Sequence, residues 1–161
     1  DRCIDLAELS ADLRARPTVK RFKHDPEPHD CKELPTRLAR QNIRLAKCLA
    51  MVLNKRVVDA DVLRIVRKVA LDTATGHSLN MVKWLMSPHP KSHYRTSHDS
   101  GGLMIAPLST WSGMNNDRLH TYLMFLREIG VLVWREVSQS NGGSWMLTER
   151  IRELYTRIVG H

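Results

Sequence analysis

Chemistry-bearing side chains crowd the stretch from Asn115 to Thr121, which reads Asn-Asn-Asp-Arg-Leu-His-Thr. Asn116, Arg118, His120 and Thr121 are types that read nucleic acid: an arginine fork pairs with guanine, an asparagine amide with adenine, and small polar groups reach bases or phosphates. Arg37, Arg40, Arg44 and Lys47 form a second set. Their spacing of three and four puts them on one face of a helix, a basic stripe able to meet phosphate or simply to be solvated. A third set, Lys91 and Arg95, lies in residues 87–100 among Pro88, Pro90, His89, His93 and His98, with Tyr94 as the lone aromatic. Such a loop either touches a nucleic-acid backbone and stacks a base or is an ordinary polar surface loop. Cys3, His24, His29 and Cys31 match no zinc spacing, and prolines interrupt them, so a solvated connector is expected and no metal. Paired carboxylates, a nucleophile elbow and a metal-ligand cluster are all missing from the sequence, so the chain is expected to be a binding module without a catalytic site or a cofactor of its own.

The elements that must position the first set are legible around it. Leu119, Tyr122, Leu123, Leu126 and Ile129 recur at helical spacing, so a helix with one buried face starts at a cap on Asn115 or Asn116 and stops at Gly130. Residues 131–137 are β-branched and apolar, 139–143 are turn material and 144–148 are extended again, which is a hairpin. In front, residues 108–114 predict a short helix ending at Gly113 and opened by Pro107 or Leu108, and Leu103, Met104 and Ile105 predict a short strand. Residues 77–86 predict the preceding helix, and 149–159 a closing one. The order resembles that of a winged helix-turn-helix.

Within that frame the exposed positions of the recognition helix are Asn116, Asp117, Arg118, His120 and Thr121, at the end that enters a major groove. Three features argue against a strong grip on DNA. Asp117 repels phosphate, Met124 and Phe125 are expected to face outward although apolar, and the wing tip Gln139, Ser140, Asn141, Gly142 and Gly143 carries no charge. Winged helices also dock proteins, and an uncharged wing beside Met124 and Phe125 suits that use. Trp111 and Trp134 are expected to pack in the core. Trp145 alternates with Met146, so one of the two is expected to face away.

Composition sets the outer bounds. The chain has 161 residues, is 42% hydrophobic and carries a net charge of +8, which is enough apolar content for a core and favours a polyanionic partner. Between residues 31 and 58 seven positive charges face one negative, so six of the net +8 sit there. No apolar run approaches the ~20 residues that cross a bilayer, the stretch from Asp1 lacks a signal-peptide layout, and three widely spaced cysteines suit a reducing compartment. A soluble intracellular protein, in cytoplasm, nucleoid or nucleus, is expected. Asp1 in place of Met suggests a piece excised from something longer. Towards the N-terminus, Ile4, Leu6, Leu9 and Leu13 predict a short amphipathic helix that needs a surface, and residues 16–35, with four prolines, an extended connector. Residues 34–54 predict a long helix with Leu38, Ile43, Leu45, Ala46, Leu49, Ala50, Val52 and Leu53 on its apolar side. Asp59 caps the next helix, residues 60–75, with Val62, Ile65, Val66 and Val69 inward and Gly76 as its stop.

The run Leu-Pro-Thr-Arg-Leu-Ala-Arg-Gln-Asn-Ile-Arg-Leu-Ala-Lys-Cys-Leu-Ala from Leu34, followed by Val57-Val58-Asp59-Ala60-Asp61-Val62, resembles the helical lid that follows the ATPase core in AAA+ replicative helicases of the minichromosome-maintenance kind. The resemblance covers residues 34–75 and rests on short motifs. It implies that Arg37, Arg40 or Arg44 faces a nucleotide phosphate in a longer parent, with ATP and Mg bound by a missing ATPase core and copies assembled through that parent. This chain has no Gly-x-x-x-x-Gly-Lys followed by Ser or Thr, so it has no phosphate cradle of its own. The expected fold is mainly α. Residues 1–36 form an N-terminal helix and Pro-rich connector, 37–76 a basic, lid-like helical hairpin, and 77–161 a winged-helix domain with a small β hairpin. The expected function is DNA binding, to duplex or single strands, within a replication or mobile-element helicase, with protein docking as the alternative.

Overall fold

The computed structural model describes residues 1–16, 33–74, 77–86, 102–136 and 143–160. The predicted connector with His24, His29 and Cys31, the loop with Lys91, Tyr94 and Arg95, the wing tip from Gln139 to Gly142, and Gly76 lie outside them. The chain is mainly helical with a two-stranded antiparallel hairpin: α1 (Arg2–Arg14), α2 (Pro35–Val52), α3 (Ala60–Asp72), α4 (Ser78–Met86), α5 (Ile105–Ser112), α6 (Asn116–Glu128), β1 (Leu132–Glu136), β2 (Gly143–Leu147) and α7 (Glu149–Val159).

Local chemistry accounts for the helix ends. Asn115 caps α6 by accepting from the Arg118 N–H at 2.9 Å, and Asp59 caps α3 by accepting from Val62 at 3.0 Å. Gly113 and Gly130 adopt left-handed conformations, φ 67° and 75°, behind α5 and α6, where a side chain would be strained. Pro35 sits in the first turn of α2, where its missing N–H costs nothing. α5 begins at Ile105, earlier than expected, so only Leu103 is left to pair with the sheet. It exchanges both backbone hydrogen bonds with Trp145, at 2.9 and 3.0 Å. β2 therefore lies between β1 and Leu103, and the succession α4, Leu103, α5, α6, β1, β2 has the winged-helix order.

The main core packs the inner face of α6 against α4, α5, the hairpin and α7. Leu119, Leu123 and Leu126 are fully buried, with Met81, Leu108, Leu132, Ile151 and Leu154 around them; burying each such side chain stabilises the fold by roughly 1.5–3 kcal/mol. Tyr122, half-buried, shares a hydrogen bond with Ser78 of α4, and burial pushes its phenol above the usual range. Phe125 is buried and Met124 half-buried, both in the main core, so the expected outward apolar pair does not exist. The apolar face of α6 is wider than the stripe of leucines, because α6 is covered on two sides. Trp145 is buried in the main core, and Met146, half-buried, is not part of it, as the alternation of the strand requires. Trp134 crosses over to Trp145, ring centroids 4.9 Å apart, yet remains 37% exposed, while Trp111 packs against Trp84 at 5.9 Å.

The N-terminal helix departs most from expectation. α1 is well enclosed: Leu6, Ala7, Leu9, Ser10, Ala11, Asp12 and Leu13 are all buried, and of its expected apolar face Ile4 is exposed. Leu9, Leu13 and Ala15 join the main core, Leu6 packs with Ala46, Ala50, Val62 and Val66 of the α2–α3 hairpin, and Ala7 and Ala11 lie with Leu38. Small residues let α2 approach closely on one side while leucines fill the other. The buried carboxylate of Asp12 accepts from Arg150 of α7 at 2.6 Å, and Asp5 pairs with Arg157 at 3.5 Å. In the hairpin, Ala70 is buried in place of Val69, which is 43% exposed, and Ile43, Val52 and Leu53 are also exposed. The expected apolar faces are here rotated towards α1, which takes up contacts assigned to a simple two-helix pair.

Candidate nucleic-acid interface

The outer face of α6 is built by exclusion. With Leu119, Tyr122, Leu123, Phe125 and Leu126 turned inward, Asn116, Asp117, Arg118, His120 and Thr121 are all exposed in its first two turns. Asn115 is used up as the cap, which leaves the Asn116 amide at the surface. Arg118 makes no ion pair or side-chain hydrogen bond among the described residues, so its guanidinium fork is open. The Thr121 hydroxyl donates to the Asp117 carbonyl at 3.0 Å and keeps only acceptor capacity. His120 stands edge-on to Trp145, centroids 6.5 Å apart, which ties its ring to the hairpin. The structure thus brings four of the six expected contact residues together; Lys91 and Arg95 are outside the described residues. Arg135, exposed on β1 beside Trp134, was not anticipated, because strand alternation alone does not say which face the helices leave open.

The second basic surface is on α2. Arg37, Arg40, Arg44 and Lys47 are all exposed and recur along one face over ten residues, a rise of about 15 Å. Arg37 is 3.7 Å from Glu33, which also holds Arg14 at 3.2 Å. Arg40, Arg44 and Lys47 have no ion-pair partner among the described residues, so their charge is available to an external anion. At the end of the helix the surface turns apolar: Met51 is 72% exposed, Val52 81% and Val57 69%, with Leu53 and Val58 beside them. Sequence periodicity placed Val52 and Leu53 in the core and gave no warning of this patch.

Among the described residues no group of three His, Cys, Asp or Glu side chains converges, and no helix is long and apolar enough to cross a membrane. Comparison of the chain with protein-family models, curated proteins and solved structures finds no match.

Proposed function

We propose that the chain is a DNA-binding winged-helix module that serves as the C-terminal part of a replication or mobile-element helicase or ATPase. The observation that carries the DNA reading is the open guanidinium of Arg118. It stands in the first turn of α6 with Asn116 and Thr121 on the same exposed face, while the opposite face is closed by the core. A helix presented this way enters a major groove by its N-terminal half, with Arg and Asn as its readers. His120, tied to the hairpin, is set to reach a backbone phosphate. The helicase parent rests on the resemblance of residues 34–75 to a lid, in which Arg37, Arg40 or Arg44 faces a nucleotide phosphate on a separate ATPase core.

Binding to duplex and single-stranded DNA across a salt series tests the proposal. Affinity falls steeply with salt, and Arg118→Ala weakens binding to the preferred strand form by about 1–3 kcal/mol if the fork makes a bidentate base contact. Reversing Arg37, Arg40 and Arg44 to Glu separates the two uses of the stripe. A lid stripe leaves DNA binding within a few-fold, whereas a DNA stripe loses about one unit of salt slope per phosphate contact removed. No binding at low salt defeats the DNA reading. The alternative, protein docking, loses its footing on α6 because Phe125 is buried, and gains one at the apolar turn from Met51 to Val58.

A further inference from the structure

Three helices from distant parts of the chain, α1, α3 and α7, enclose a cleft of about 260 Å³ that has no role in the DNA reading. Its floor is aliphatic: Leu6 and Val66 are buried, Leu63 and Ile158 half-buried. Arg2, Arg64, Arg67 and Arg157 line it, against the two carboxylates of Asp5 and Asp61. Both carboxylates are already engaged, Asp5 by Arg157 at 3.5 Å and Asp61 by Lys55 at 3.1 Å. Arg67 spends one Nη on the Ile158 carbonyl at 2.9 Å. Arg2 and Arg64 are exposed and make no ion pair or side-chain hydrogen bond among the described residues. The cleft therefore offers an apolar floor under two uncommitted guanidinium groups.

The chemistry narrows the occupant. Guanidinium forks match carboxylates in two-point geometry and tolerate an apolar neighbourhood better than ammonium does. The volume falls just below the roughly 300–1,000 Å³ of small-molecule pockets, and suits one or two aliphatic side chains of a longer ligand. Among the described residues no aromatic ring lines the cleft, so they give a nucleobase nothing to stack on. We propose that this cleft docks an acidic peptide segment of a partner protein, which seats a leucine-type side chain on Leu6, Leu63, Val66 and Ile158 and lays flanking carboxylates on Arg2 and Arg64. Arginine clusters recognise acidic motifs in this manner, and an apolar anchor adds what charge alone does not, discrimination among polyanions.

The probe is a fluorescein-labelled amphipathic peptide of leucines and glutamates, compared with polyglutamate of equal charge and with a single-stranded oligonucleotide. The leucine-bearing peptide binds the whole chain and polyglutamate binds much more weakly. Arg2→Glu with Arg64→Glu lowers peptide affinity at least about tenfold, the order expected for losing two charge-assisted contacts, and leaves DNA affinity within a few-fold. Cys3 lines the cleft while Cys48 is exposed on α2, so alkylation mapped by mass spectrometry gives a second readout on the unaltered protein. Bound peptide slows modification of Cys3 and not of Cys48. Equal binding of polyglutamate, no protection of Cys3, or an equal loss from Arg40→Glu with Arg44→Glu on α2 each overturns the proposal. Competition by the oligonucleotide that depends on Arg2 and Arg64 would make the cleft a nucleic-acid site instead.

Discussion

Arg150→Met tests the least obvious feature of the packing, the use of α1 to hold both ends of the chain. The Asp12 side chain is wholly buried and its carboxylate takes a hydrogen bond at 2.6 Å from Arg150, which is 47% exposed, across 138 residues of sequence. Methionine keeps much of the aliphatic stem and removes the charge, so the buried Asp12 carboxylate loses one charged partner where water has little access. Breaking a fully buried pair typically costs 3–5 kcal/mol, and the half-exposed guanidinium, together with the other interactions of Asp12, lowers the expectation here to about 2–3 kcal/mol at most. For a chain of this size that is a fall in Tm of roughly 4–12 °C. Asp12→Asn removes the charge but keeps the shape, and costs only about 1 kcal/mol, the worth of an ordinary hydrogen bond. The double variant Asp12→Asn with Arg150→Met is then more stable than Arg150→Met alone, because no buried charge is left behind. Urea denaturation of all four proteins, compared at common m, closes the cycle. A loss below about 0.5 kcal/mol for Arg150→Met, or strictly additive effects, refutes the idea that this contact anchors α1.

Leu119→Ala, at a fully buried position, lowers stability by about 2–5 kcal/mol, whereas Arg118→Ala beside it leaves the Tm unchanged; equal melting curves for wild type and Leu119→Ala would show the helix phase to be wrong. Gly143 lies under the Trp134 ring, where any Cβ would collide, so Gly143→Val pushes Trp134 away from Trp145. The near-UV circular dichroism of the tryptophan pair should then weaken, and an unchanged spectrum would count against the packing described. The hydrogen bond from Lys55, aided by the Val62 N–H, holds the Asp59 carboxyl below the usual carboxylate range. A depressed folded pKa stabilises the native state above the unfolded pKa, and that contribution is lost as pH falls through the folded value. Asp59→Asn should therefore flatten the acid limb of stability against pH, and an unaltered limb would remove Asp59 from the account.

What is legible in the sequence alone is whatever depends on near neighbours along the chain. The α6 stripe, its cap at Asn115, the stop at Gly130 and the Asp59 cap are all local, set within a few residues by backbone hydrogen bonding and side-chain spacing. The exposed set Asn116, Arg118, His120 and Thr121 followed from the same phase, as its complement. Phe125 departs from its expected outward position because periodicity finds one buried face, while α6 is covered from two sides. The sequence shows α1 only as a short amphipathic helix in need of a surface, because Ala7, Ser10 and Ala11 give almost no hydrophobic signal. Small residues are buried only by the close approach of another backbone, and that approach is a property of the partner helix. The arginine cleft was invisible for a related reason: Arg2, Arg64 and Arg157 belong to helices separated by most of the chain, and nothing in their separate spacings says that three helices meet. Spacing along the chain encodes which way a side chain points from its own axis; which axes come together is settled by the sum of many weak contacts, and it is there that this cleft arises.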